Sequence, residues 1–119
     1  MDVSLKEFRK AIEKLDAALQ EEKTEYLRDS VIQRFEFCVE LAWKTAKKAL
    51  GSSKTSSKLV LREMLQNNLI DDADFWFQSI DQRNLTSHTY NEDIAESVYS
   101  FAEKFLPYAQ KLLEKLEKL

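Results

Sequence analysis

Tyr26-Leu27-Arg28-Asp29-Ser30-Val31-Ile32-Gln33-Arg34-Phe35-Glu36-Phe37-Cys38-Val39-Glu40-Leu41-Ala42-Trp43-Lys44-Thr45-Ala46-Lys47-Lys48-Ala49-Leu50-Gly51 is the stretch whose reading decides the fold. At 3.6 residues per turn, Val31, Ile32, Phe35, Cys38, Val39, Ala42, Ala46, Ala49 and Leu50 cover one wide face of a helix. The pattern predicts a helix from about Tyr26 or Arg28 to Leu50. It is stopped by Gly51, a residue type free to take the left-handed conformation at a helix C-terminus. Phe37 and Leu41 fall well off the wide face and make a small second apolar face. That face serves either another helix of the same chain or a dimer interface.

Working outward, the same logic places helices on both sides. Upstream, Leu5, Phe8, Ile12, Leu15 and Leu19 recur at spacings of three and four, and Ser4 with Glu7 fits a capping box that starts the helix there. Polar residues from Gln20 to Lys23 end it. Downstream, the serine- and lysine-rich segment 51–57 reads as a connection. Leu59, Val60, Leu61, Met64 and Leu65 then predict a short third helix ending near Asn67-Asn68. Asp72 or Asp74 caps a fourth, which carries Phe75, Trp76, Phe77 and Ile80 and has Arg83 in its last turn, where a cation complements the helix dipole. A final helix starts at Thr89 or Asn91. Ile94, Val98, Phe101, Phe105, Tyr108, Leu112, Leu116 and Leu119 continue its stripe past Pro107, which removes a backbone donor and predicts a kink.

One glycine and one proline in 119 residues leave too few turn residues for a sheet protein. The expectation is an all-α, up-and-down bundle of about five helices around a four-helix core, forming a single domain over 1–119. The N-terminus lacks the apolar core of a signal peptide. No run of eighteen apolar residues occurs, so no membrane association is expected. The lone Cys38 lies in an apolar helical setting and reads as a small buried hydrophobe, giving a soluble protein of the reducing cytoplasm.

Charge is unevenly distributed within a net balance of -3. Residues 41–62 carry six basic and no acidic side chains, whereas residues 63–103 carry one basic residue, Arg83, and nine acidic ones. Both sets read first as solvated helix surface. The field around Arg83 is poor for RNA unless the fold brings the basic stretch alongside it.

The single histidine and single cysteine cannot complete a two-histidine zinc motif, a di-iron bundle site or a thiolate site. One glycine forbids a glycine-rich phosphate loop. A carboxylate-only magnesium site among Asp71, Asp72 and Asp74 is the remaining metal option, but adjacent aspartates before a helix more often cap it. No metal or cofactor is expected. Chemistry therefore concentrates in Arg83-Asn84-Leu85-Thr86-Ser87-His88-Thr89-Tyr90. Arginine brings a planar fork of phosphate donors, histidine a proton-transfer group and tyrosine a phenolic oxygen. Were residues 88–90 extended, His88 and Tyr90 would point to the same side.

The segment 28–37, continuing through Glu40-Leu41-Ala42-Trp43-Lys44, together with the later Arg-Asn-Leu-Thr-Ser-His-Thr-Tyr, resembles the nucleotidyltransferase substrate-binding protein family. This family lies within the HEPN superfamily of helical bundles and includes the HepT-like toxins. The resemblance covers nearly the whole chain and implies a separately encoded minimal nucleotidyltransferase, its gene adjacent, in a toxin-antitoxin-like pair. Two roles come with it. In the first, the protein is a non-catalytic partner or substrate-binding subunit of that transferase, with Phe37, Leu41 and Trp43 of the second helix serving assembly. In the second, it is a metal-independent ribonuclease toxin whose Arg83, Asn84 and His88 fit the superfamily's Arg-polar-to-His pattern, silenced by adenylylation of Tyr90. Because one chain supplies a single imidazole, RNA cleavage by the second route calls for a homodimer that brings two histidines and two arginines to one cleft.

Overall fold

The structure, a computed structural model, describes residues 3 to 119. Five α-helices follow in order: α1 (Val3–Gln20), α2 (Glu25–Leu50), α3 (Ser57–Gln66), α4 (Ala73–Asn84) and α5 (Glu92–Glu117), with a 3-10 turn (Leu85–His88) between the last two. Among the described residues there is no strand. No helix is long and apolar enough to cross a membrane.

The termini follow the sequence signals in most places. Thr24 caps α2 by accepting from the Leu27 amide at 3.1 Å. Gly51 ends α2 at φ 62°, with its amide and that of Ser52 closing on the Lys47 and Lys48 carbonyls. Asp72, not Asp74, caps α4 through the Phe75 amide at 3.0 Å. Asn91, not Thr89, caps α5 through the Ile94 amide at 3.1 Å. The helix then continues unbroken across Pro107.

Ser4 departs from expectation. It lies within α1 and so is not the cap; its carbonyl accepts from the Thr45 hydroxyl at 3.2 Å and its hydroxyl faces Lys48. That contact joins the start of α1 to the end of α2, which makes the pair antiparallel. Arg28 at the start of α2 reaches Glu92 and Glu96 at the start of α5, so these two run in the same direction. The end of α4 lies against the middle of α2 with reversed polarity. Helices α1, α2, α4 and α5 thus make an up-and-down core, and α3 is a bracket that carries the chain back.

The wide face of α2 is the hub. Val31, Phe35, Cys38, Val39, Ala42 and Ala46 are all buried, as are Phe8, Leu15, Val98, Phe105 and Leu112 from the flanking helices. Phe35 meets Phe105 edge-on at 5.2 Å, and Trp76 meets the same ring at 5.4 Å. Burial pushes the Cys38 thiol well above its ordinary value, as expected of an inert core cysteine. Two stripe residues are misplaced by helical periodicity alone. Ala49 is exposed because it lies at the end of α2 beyond the covering helices, and Leu119 is exposed because it lies past the end of α5.

Candidate functional site

The Arg83–Tyr90 segment forms a corner where α4 hands over to the 3-10 turn and then to α5. It is neither extended nor buried. Thr89 sits at φ -79°, ψ 4°, its hydroxyl donates to the Thr86 carbonyl at 3.1 Å, and the Asn91 amide closes on the His88 carbonyl. Residues 88–90 are therefore not the extended segment in which His88 and Tyr90 would point to the same side. The turn nevertheless brings the His88 and Tyr90 rings together, 6.2 Å between centroids and inclined at 73°. Tyr90 is 85% exposed and precedes α5 rather than entering it. His88 and Asn84 are exposed as well.

Two carboxylates of α2 hold this corner. Arg83 Nε lies 2.9 Å from Glu40 Oε1, in a charge contact bent off the hydrogen-bond line. Among the described residues its two terminal nitrogens donate no hydrogen bond, so the ends of the fork keep donors that an anion could take. The Thr86 hydroxyl donates to the Arg83 carbonyl at 2.7 Å and reaches Glu36 Oε2 at 3.2 Å. Glu36 and Glu40 are one turn apart and so share a face of α2. Their roles were not legible beforehand, because a surface glutamate pair on a helix reads as solvated charge until a partner segment is placed against it.

Trp43 is half-buried and its indole N–H points to Glu40 at 3.4 Å, so it backs the carboxylate that meets Arg83. Phe37 is 49% exposed; with Leu41 it lines an open groove of about 290 Å³ between α1 and α2, rimmed by Lys10, Lys14 and Arg34. The aspartates expected as caps or as a magnesium set are engaged separately: Asp72 caps α4, and Asp71 pairs with Lys111 at 2.9 Å, which holds the Asp71 carboxyl below its ordinary range. Among the described residues no cluster of metal-ligating side chains occurs.

Beyond Tyr90, the start of α5 is tied to α2 by a feature that periodicity did not predict. Arg28 is only 6% exposed, yet carries its guanidinium to Glu92 at 2.6 Å and Glu96 at 3.1 Å, with Asp29 at 3.4 Å. Lys23 also pairs with Glu96 and lies over the Tyr99 ring at 4.5 Å. Bonding to Arg28 and Lys23 holds Glu92 and Glu96 below the ordinary glutamate value of 4.5. Groups with depressed values in the folded state contribute stability above their unfolded value and lose it as pH falls through the folded one. Thermal melts should therefore show the wild-type advantage over Arg28→Met at neutral pH shrinking below about pH 4. At neutral pH the Glu92→Gln/Glu96→Gln double variant should melt lower than Arg28→Met, since it leaves a buried guanidinium with Asp29 as its one remaining carboxylate, whereas the methionine releases only exposed carboxylates. The reverse order of melting would refute this account.

An all-α protein with a corner that joins a half-buried arginine to an exposed histidine and tyrosine is the class that fold and site define. The chain belongs to the family described as nucleotidyltransferase substrate binding protein like, whose model matches residues 3–118. It is 39% identical over 93 residues to the "Probable ribonuclease HepT" of Haemophilus influenzae, a match covering 71% of this chain and 64% of that protein. This chain thus spans less than two thirds of that relative. Among solved structures, a Thermus thermophilus protein superposes with a TM-score of 0.85 at 31% identity, covering 92% of this chain and 98% of that one. The Haemophilus influenzae protein HI0074, described as having the fold of a substrate binding domain of a nucleotidyltransferase, superposes with a TM-score of 0.85 at 30% identity, over 95% of this chain and 98% of that one.

Proposed function

We propose that this protein is the RNA-cleaving member of a two-protein system whose other member is a minimal nucleotidyltransferase. It acts as a homodimer with Arg83 and His88 of both copies in one cleft. The observation that carries the reading is the corner itself, in which Arg83, paired with Glu40 through Nε, donates no hydrogen bond from its terminal nitrogens while His88 stands beside Tyr90. In such a cleft one imidazole takes the proton of a ribose 2'-hydroxyl as it attacks the adjacent phosphorus. The other gives a proton to the departing 5'-oxygen. The arginine forks stabilise the charge that gathers on the phosphoryl oxygens, and Asn84 offers a further polar contact.

Incubating the purified protein with several RNAs in excess chelator tests the reading. Cleavage that survives chelation sustains it, and a folded wild-type dimer that cleaves none of them sinks it. Silencing follows from the ring contact. Attack of the Tyr90 phenolic oxygen on the α-phosphorus of ATP, with loss of pyrophosphate, would attach a nucleotide within reach of His88. Mass spectrometry after incubation with the nucleotidyltransferase and ATP is expected to find adenylate on Tyr90 and cleavage lost, with Tyr90→Phe retaining its cleavage. Modification elsewhere, with Tyr90 untouched, would remove this part.

A second reading, the non-catalytic subunit that lends the transferase a substrate surface, is favoured by the open Phe37–Leu41 groove, which a partner could fill as well as a second copy. Displacement of the homodimer by added transferase, without RNA cleavage by either protein, would favour it.

A further inference from the structure

We infer that the last two turns of α2, with the 51–56 connection and the start of α3, form a phosphate track that leads single-stranded RNA to the Arg83 corner. This rests on the ribonuclease reading for its destination. The acid-free stretch 41–62 is distant from Arg83 in sequence, but the fold brings part of it alongside. Lys44 and Arg83 meet opposite oxygens of one carboxylate, Lys44 at Glu40 Oε2 and Arg83 at Glu40 Oε1. Lys58, at the start of α3, pairs with Asp81 near the end of α4 at 3.2 Å, two residues before Arg83.

Helical geometry extends the row. Lys44 lies about 40° round α2 from Glu40, and Lys47 about 20° from Glu36, so both share the face that holds the corner. Lys48 is turned away, toward Ser4 of α1. Beyond Lys47 the chain leaves α2 at Gly51, and the exposed Lys54 follows in the connection. Neither Lys47 nor Lys54 has a carboxylate partner among the described residues. The row therefore starts with cations that are part-neutralised, next to the corner, and ends with two that are not. Five cations along it face four carboxylates, Glu36, Glu40, Asp81 and Glu63, the last taking the Ser52 hydroxyl of the connection, so the row keeps a surplus of one positive charge, with the unpaired Lys47 and Lys54 at the end away from the proposed chemistry. This arrangement suits a strand that is held by its backbone at one end and presented to the Arg83 fork at the other. Sequence-independent backbone contacts of this kind carry a salt dependence that counts them.

The test uses the full-length His88→Ala protein, so that RNA is bound and not cut, and a labelled oligouridylate as probe. Binding is followed by fluorescence anisotropy across a salt series. Lys47→Ala/Lys54→Ala is expected to weaken binding and to reduce the slope of log affinity against log salt by about 1.4, or about 0.7 for each lost contact to a single strand. The paired control, Lys104→Ala/Lys118→Ala, removes two exposed cations of α5 and its C-cap that belong neither to the row nor to the Phe37–Leu41 groove, and should leave the slope unchanged. An unchanged slope in the first variant, a loss confined to the control, or no binding by the parent protein overturns the track. Cleavage by the wild-type protein is read separately. Cleavage with an unaltered KM in Lys47→Ala/Lys54→Ala sinks the track alone. RNA binding with the expected slopes but no cleavage retains the track and sinks the ribonuclease reading.

Discussion

His88→Ala is expected to slow RNA cleavage in chelator by about 10²–10⁴-fold, the range spanned by losing a positioned proton-transfer group. The two-fold arrangement pushes toward the upper end, because one substitution removes both the base and the acid of the cleft. Arg83→Ala should cost about 10²–10³-fold, comparable to removing a donor aimed at developing charge. Arg83→Lys should recover only part of this, since an ammonium keeps the charge without the fork. The variants are informative because His88 is exposed and contributes nothing to the core, so its loss should change folding stability by no more than about 0.5 kcal/mol. Cleavage rates on one labelled RNA, with melting curves and sedimentation for each variant, make the comparison. Equal rates in wild type, His88→Ala and Arg83→Ala would remove the site whatever the source of the activity.

Phe37→Glu carries the second large effect. An aromatic side chain left 49% exposed beside Leu41 is costly to leave in water and suited to the centre of an interface. Placing a carboxylate there loses the apolar contact and requires a charge to be desolvated at the seam, where only the rim cations Lys10, Lys14 and Arg34 could meet it. A central anchor of this kind is worth at least about 2 kcal/mol, which is about a thirtyfold weaker dimer. Sedimentation equilibrium should show the dissociation constant rising by that factor or more. Cleavage measured below the new dissociation constant should fall with the dimer fraction. Because Phe37 is not part of the buried core, the variant should stay folded as a monomer. A variant that remains dimeric, or a monomer that cleaves at the wild-type rate, would show that the seam lies elsewhere.

The helical framework was legible because its signals are local. The spacing of Phe8, Ile12 and Leu15, the turn-forming freedom of Gly51 and the capping capacity of Asp72 and Asn91 each act within a few residues. Where a local signal misled, a neighbour outside the window had decided the matter. Ser4 fits a capping box in sequence, yet it lies inside α1 with its oxygens turned to α2. The Arg83-to-His88 spacing and Tyr90 were visible as a pattern, but their geometry was not. The turn at Thr89 is set by a hydroxyl-to-carbonyl bond and by the Asn91 cap, and choosing Asn91 over Thr89 required the folded chain.

The sequence by itself determined an all-α chain with its helices nearly in place, the burial of Cys38, and one short segment that gathers an arginine, the histidine and a tyrosine. Helix propensity, apolar periodicity and capping are properties of near neighbours, and they survive without knowledge of the fold. Only the tertiary structure decided that Glu40 meets both Arg83 and Lys44, that Arg28 ties the start of α5 to α2, and that Lys58 stands beside α4. Apart from the Glu40–Lys44 pair, those are contacts between charges tens of residues apart. A charged side chain on a helix surface is equally content in water, so nothing in the local sequence indicates which distant partner it will meet.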